Sequence, residues 1–159
     1  MQKLGLAPIL DGDTEILILG TLPSDISLTI GQYYANPGND FWKLIGAALL
    51  QALQEMSYEE RIAILRANHI GLWDAYRTCL RSGSMDKDII EPELNDFNTL
   101  KGIAPNIALI CFNGKKASEA EAPLQKLGYK MLLLPSSSGA NRKDREARQL
   151  LWTNAVRLS

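Results

Sequence analysis

Glu15-Ile16-Leu17-Ile18-Leu19-Gly20 places four aliphatic residues in a row between an acid and a glycine. A strand with one wet face alternates apolar and polar side chains. A short unbroken apolar run closed by glycine reads instead as a strand covered on both faces. Three later runs have the same character: Ile70-Gly71-Leu72-Trp73, Ile107-Ala108-Leu109-Ile110-Cys111-Phe112, and Met131-Leu132-Leu133-Leu134, which Pro135 ends. Helical spacing fills the intervals. Asp40 is placed to cap a helix from Phe41 to about Leu53. Ser57 and Glu60 form a capping box for a helix to about Ala67. Pro92 to Lys101 reads as a short helix, Lys115 to Leu127 is helical at least until Pro123, and Lys143 to about Val156 closes the chain. Gly20 to Asn39 reads as a long ordered loop with a helical turn, and Arg77 to Asp88 as a second loop. Strands alternating with helices predict a parallel sheet covered on both faces, a three-layer α/β fold in one domain over residues 1–159.

Composition narrows the class. Of the 159 residues 46% are apolar and 22% charged, which excludes a disordered or fibrous chain. The net charge of -1 excludes a uniformly basic nucleic-acid binder. The total hides a split, however. Residues 1–100 carry 7 basic and 14 acidic side chains, while residues 101–159 carry 10 and 4. A basic half points to an anionic partner or to solvated helix faces. The two cysteines, Cys79 and Cys111, are too few for an iron–sulfur cluster and lack zinc spacing. They suggest no disulfide framework, so a reducing, cytoplasmic setting is expected. Neither a signal-peptide pattern nor an apolar stretch of membrane-spanning length is present, and a soluble protein without membrane contact is expected.

In parallel sheets ligands bind beyond the C-terminal strand ends. Three such ends share a chemistry: Gly20-Thr21-Leu22-Pro23-Ser24, Phe112-Asn113-Gly114-Lys115-Lys116, and Leu134-Pro135-Ser136-Ser137-Ser138-Gly139-Ala140-Asn141-Arg142. The last joins three hydroxyls and a glycine to Arg142, Lys143, Arg145 and Arg148, a combination suited to phosphate or to a turn into a solvated helix. No phosphate-loop or dinucleotide fingerprint is present, which argues against a nucleoside triphosphate or dinucleotide. Gln32 to Trp42 packs four aromatics among amides. Aromatics stack on flat bases and amides read base edges. Tyr33 and Tyr34 lie in the loop. Phe41 and Trp42 also suit a helix core, Asn36 a turn and Asn39 a helix cap. His69 is the single histidine, which leaves a His-based triad or metal site unsupported. Asp74 follows the second strand, either in the same edge or as a loop hydrogen-bonding carboxylate.

The order of these pieces resembles the uracil-DNA glycosylase superfamily, most closely its deoxyinosine (hypoxanthine) branch and more distantly its mismatch-specific G:T/U branch. The resemblance runs from Ile16 to about Trp152, through Gly20 to Ser24, Asn36-Pro37-Gly38-Asn39-Asp40-Phe41-Trp42, Gly71 to Tyr76, Phe112 to Ala117, and Leu134 to Asn141. It implies a three-layer α/β/α sandwich around a four-stranded parallel sheet. It also implies monofunctional cleavage of the N-glycosidic bond of a deaminated base flipped out of DNA, hypoxanthine first, then xanthine or uracil, without cofactor or metal. Asn39 matches the catalytic asparagine of the deoxyinosine branch, and Tyr34 the aromatic that stacks on the base. Leu22, Pro23, Phe41, Asp74 and Asn113 are the further base-pocket candidates. Ser24, Lys115, Ser136, Ser137, Ser138, Gly139, Asn141, Arg142 and Lys143 are the DNA-contact candidates. The expected partner is DNA holding a deaminated or mismatched base, met by a monomer. Leu22 and Leu134 stand where most relatives carry a water-handling Asp or Asn and a His. They leave two alternatives, a non-catalytic base- or nucleic-acid-binding relative and a nucleoside hydrolase.

Overall fold

A computed structural model describes residues 2–81 and 89–157. In chain order the elements are β1 (Gln2–Leu4), β2 (Ile16–Gly20), α1 (Asp25–Ile30), α2 (Phe41–Leu49), α3 (Tyr58–Ala67), β3 (Ile70–Asp74), β4 (Tyr76–Arg81), β5 (Ile89–Leu94), α4 (Leu100–Ile103), β6 (Leu109–Asn113), α5 (Glu121–Lys126), β7 (Met131–Leu134) and α6 (Arg145–Val156). The four apolar runs form one parallel sheet in the order β3-β2-β6-β7. Strand residues alternate between its faces. Ile16 and Ile18 pack with Phe41, Ile45, Leu65 and Trp152 of α2, α3 and α6. Leu17 and Leu19 pack with Phe97, Leu100, Ala117 and Leu124 on the opposite side. The three-layer α/β architecture expected from the sequence is therefore present. Its register aligns the strand ends: Gly20 pairs with Asp74, Leu19 with Phe112, and Asn113 with Leu134.

Several local readings need correction. A second, antiparallel sheet of order β1-β4-β5 departs from the expected single parallel sheet. It turns the start of the expected 77–88 loop into strand β4; residues 82–88 lie outside the described residues. Pro92 sits in β5 rather than opening a helix. As an edge strand, β5 tolerates a residue with no N–H to donate. The expected 92–101 helix shrinks to a 3-10 turn at Phe97–Thr99 followed by α4. Helix α2 ends at Leu49 instead of about Leu53, because Leu50 turns left-handed with φ 58°. Asp40 does not cap α2 with its side chain; Asn39 Oδ1 accepts the Phe41 N–H at 2.9 Å. The 115–127 helix divides into a 3-10 turn and α5. Pro123 falls in the first turn of α5, where a missing N–H breaks no intrahelical bond.

Other readings hold. Ser57 and Glu60 make both bonds of the capping box. The helical turn in the long loop is α1, capped by Ser24. Cys111 is buried in the sheet, which pushes its thiol up to about 12. His69 directly precedes β3, with Nδ1 3.1 Å from the Asp13 carbonyl oxygen. It stands well away from the aligned strand ends. Among the described residues no helix is long and apolar enough to cross a membrane.

Candidate functional site

The loops after β2, β6 and β7 and the segment before α2 enclose a cavity of about 520 Å³ at the C-terminal edge of the sheet. That volume lies within the roughly 300–1,000 Å³ of small-molecule sites. Leu22, Pro23, Ser24, Tyr34, Asn39, Asp74, Asn113, Ser136, Ser137, Ser138, Gly139 and Arg142 line it. Of the remaining sequence candidates, Phe41 is fully buried behind Tyr34, with ring centroids 3.9 Å apart and planes at 12°. Lys115 and Lys143 are exposed beside the cavity rather than in its lining. Asn141 Nδ2 donates to the Ser136 carbonyl at 3.0 Å and shapes the loop. Gly20, Thr21, Ser27, Tyr33, Asn36, Gly38 and Ala140 complete the lining. Ser27, which is not among the sequence candidates, accepts the Ala35 N–H on its Oγ at 3.0 Å. A serine inside a short helix carries no sequence signal for that contact.

A hydrogen-bonded belt joins three of the strand-end and loop segments. Ser137 N donates to Asn113 Oδ1 at 2.9 Å. Asn113 Nδ2 donates to Ser137 Oγ at 2.9 Å and to Tyr34 Oη at 3.1 Å. Ser137 Oγ in turn donates to Asn39 Oδ1 at 2.8 Å. Both amide hydrogens of Asn113 are thus committed inside the protein, and the residue is buried. Asn39 differs. Its carbonyl oxygen accepts from both Ser137 and Phe41. The Phe41 N–H can only donate, so the atom facing it must be the oxygen, which fixes the amide orientation. The Asn39 NH₂ group therefore points away from both of these partners and has no acceptor among the described residues, in a residue that lines the cavity.

The opposite wall is plainer. Leu22 is 7% exposed and its side chain packs in the second core cluster, so its contribution to the cavity is largely backbone. Leu134 is likewise core. Gly20 matters for space: a Cβ there would lie 2.8 Å from Asp74 Oδ1 and 3.0 Å from Tyr34 Oη. A bare Cα lets that carboxylate and that hydroxyl approach over the sheet edge. Tyr34 itself has φ 55°, a left-handed backbone that costs a non-glycine residue conformational energy and recurs at functional sites.

Asp74 is 4% exposed, and it is the one acidic residue of the described lining as Arg142 is the one basic residue. Burial, and then the Asp74 charge, hold the Tyr33 hydroxyl far above its ordinary range. Tyr33 stays a proton donor, to the Ala7 carbonyl at 2.8 Å. No group of three or more metal-ligating side chains occurs among the described residues. The cavity thus combines a flat aromatic, a preorganised amide donor and a buried acceptor carboxylate. That is a set for holding a polar ring and stabilising charge that develops on it.

Residues 7–157 match the Uracil DNA glycosylase superfamily. A hypoxanthine DNA glycosylase of Methanosarcina acetivorans is 50% identical over 157 residues, covering 99% of both chains. A hypoxanthine DNA glycosylase of Methanosarcina barkeri is 46% identical over the same share. A solution NMR structure from Methanosarcina acetivorans, described as a uracil DNA glycosylase, superposes with a TM-score of 0.89 at 50% identity. The match covers 99% of this chain and 98% of that one.

Proposed function

The chain belongs to the uracil DNA glycosylase superfamily, and from that premise we propose that it hydrolyses the N-glycosidic bond of hypoxanthine flipped out of DNA. The observation that carries this reading is the clamped carbonyl of Asn39, which leaves one amide donor facing the cavity. Breaking the bond places negative charge on the leaving base and positive charge on the sugar. A donor already oriented by two hydrogen bonds stabilises the base without reorganising. Tyr34, backed by Phe41, stacks on the ring. Asp74 accepts the lactam N–H of hypoxanthine, a hydrogen that adenine lacks at that ring nitrogen. The same carboxylate favours the cationic sugar.

No lysine is among the described lining residues, so the nucleophile is water and the product an abasic site. The two relatives named for hypoxanthine support that base, with xanthine and uracil as slower substrates. Ser24, Ser136, Ser138, Gly139 and Arg142 at the rim, with Lys115 and Lys143 beside it, meet the phosphates. The cavity is built from one chain, which suits a monomer, and the buried free Cys111 thiol suits the cytoplasm. The test is single-turnover release from duplexes carrying one inosine, xanthosine or uracil. Hypoxanthine is expected to leave fastest, and Asn39→Ala to slow release by about 10²–10³, the usual effect of removing one such donor. Asn39→Ala at full rate, or DNA binding with no base released, overturns the reading. The second outcome would favour the binding-only relative that buried Leu22 and Leu134 suggest.

A further inference from the structure

Arg148 belongs by sequence to the basic run that begins at Arg142, yet its side chain is only 5% exposed. Arg142, Lys143 and Arg145 are all exposed. Arg148 Nη2 donates to Asp40 Oδ2 at 2.7 Å. Its Nη1 donates to the Ser136 carbonyl at 3.1 Å and reaches those of Ser138 and Asn141 at 3.5 Å. One side chain of α6 therefore holds three carbonyls of the loop after β7 and the residue next to Asn39. Asp40 N adds a direct bond to the Ser137 carbonyl at 2.8 Å. The two loops also meet backbone to backbone, since a Cβ on Gly139 would lie 1.9 Å from the Gly38 carbonyl oxygen.

A buried ion pair is poor stabilisation, because apolar residues of similar volume often hold a fold as well or better. What the planar, many-donor guanidinium adds is fixed geometry. We propose that Arg148 and Asp40 are positioning residues. They hold the 136–141 loop where Ser137 clamps the Asn39 carbonyl, and so keep the Asn39 amide turned into the cavity. The inference rests on the catalytic reading of Asn39 above. It also removes Arg148 from the phosphate contacts that its place in the basic run suggests.

The test is a double-mutant cycle on the single-turnover rate with an inosine duplex, combining Arg148→Lys or Asp40→Asn with Asn39→Ala. Asp40→Asn keeps the side-chain shape and serves if Arg148→Lys does not fold. A positioning role predicts a rate about ten- to a hundredfold lower for Arg148→Lys or Asp40→Asn, the scale of a misplaced catalytic group. The concentration of half-saturation and the salt dependence of DNA binding stay as they were. In the Asn39→Ala background, followed over hours to days, the same changes cost nothing further. An equal loss in that background would make the pair a fold support only. An unchanged rate in the single variants would also overturn the proposal, as would a salt slope shallower by about one, which would return Arg148 to phosphate. Asn39→Ala at full rate would instead sink the catalytic reading of Asn39, an outcome distinct from each of these.

Discussion

The wall formed by Tyr34, Asn39, Asn113 and Ser137 is a closed hydrogen-bond belt, whereas the wall formed by residues 20–24 has a bare Cα at Gly20, an apolar side chain turned into the core at Leu22 and a Ser24 hydroxyl that caps α1. On the first wall nearly every donor and acceptor is matched, and the Asn39 NH₂ is what remains for a ligand. On the second, Leu22 offers no polar side chain to a water or a base. Committed polar groups hold shape; an uncommitted one on a rigid frame does chemistry.

The sharpest way to break this comparison is Asn39→Asp. A carboxylate still accepts from the Phe41 N–H and the Ser137 hydroxyl, so the belt and the cap of α2 survive. Only the donor is lost. Single-turnover release from an inosine duplex should fall by about 10²–10³, with thermal stability close to that of the parent. Protonation would give the carboxyl a hydrogen to donate, so the residual rate should rise as pH falls toward the carboxyl range, about 4. A variant as fast as the parent would show that the clamped carbonyl, and not the amide, is what the reaction needs.

Both the sheet and the edge that carries the cavity are legible in residue order, because unbroken apolar runs such as Ile16 to Leu19 admit few arrangements and the strand ends carry the polar residues. Twelve of the sixteen candidate positions line the cavity. What the sequence hid depends on distant partners. Strand β4 pairs with β1, more than seventy residues away, and nothing in Tyr76-Arg77-Thr78 announces that neighbour. Arg148 looks like its exposed neighbours until Asp40, 108 positions earlier, is seen against it. Phe41 suits a helix core as well as a pocket, and the ring of Tyr34 stacked in front of it decides for the core.

Leu22→Asn probes the second wall. The new amide would replace a buried apolar side chain among Trp73, Tyr76 and Phe112 of the second core cluster. Burying a polar group without partners costs about 1–3 kcal/mol in proteins. The variant should unfold at lower temperature or denaturant concentration and release hypoxanthine no faster than the parent. A faster rate with uracil would mean that the side chain can swing from the core into the cavity. The two walls would then differ by one residue rather than by architecture.

The smallest effect concerns Arg142, at the edge of the cavity in the basic half of the chain. Arg142 lines the mouth of the cavity and is exposed, and it is not held in any ion pair among the described residues. Its charge is therefore available to a phosphate in a way that the buried guanidinium of Arg148 is not. Each neutralised phosphate contributes about one unit to the slope of log affinity against log salt. Arg142→Gln should make the slope shallower by about one and weaken binding several-fold at moderate salt, while the rate of base release from saturated enzyme stays unchanged. An unaltered slope would place the DNA backbone elsewhere. A lost rate at saturation would move Arg142 from the rim into the reacting site.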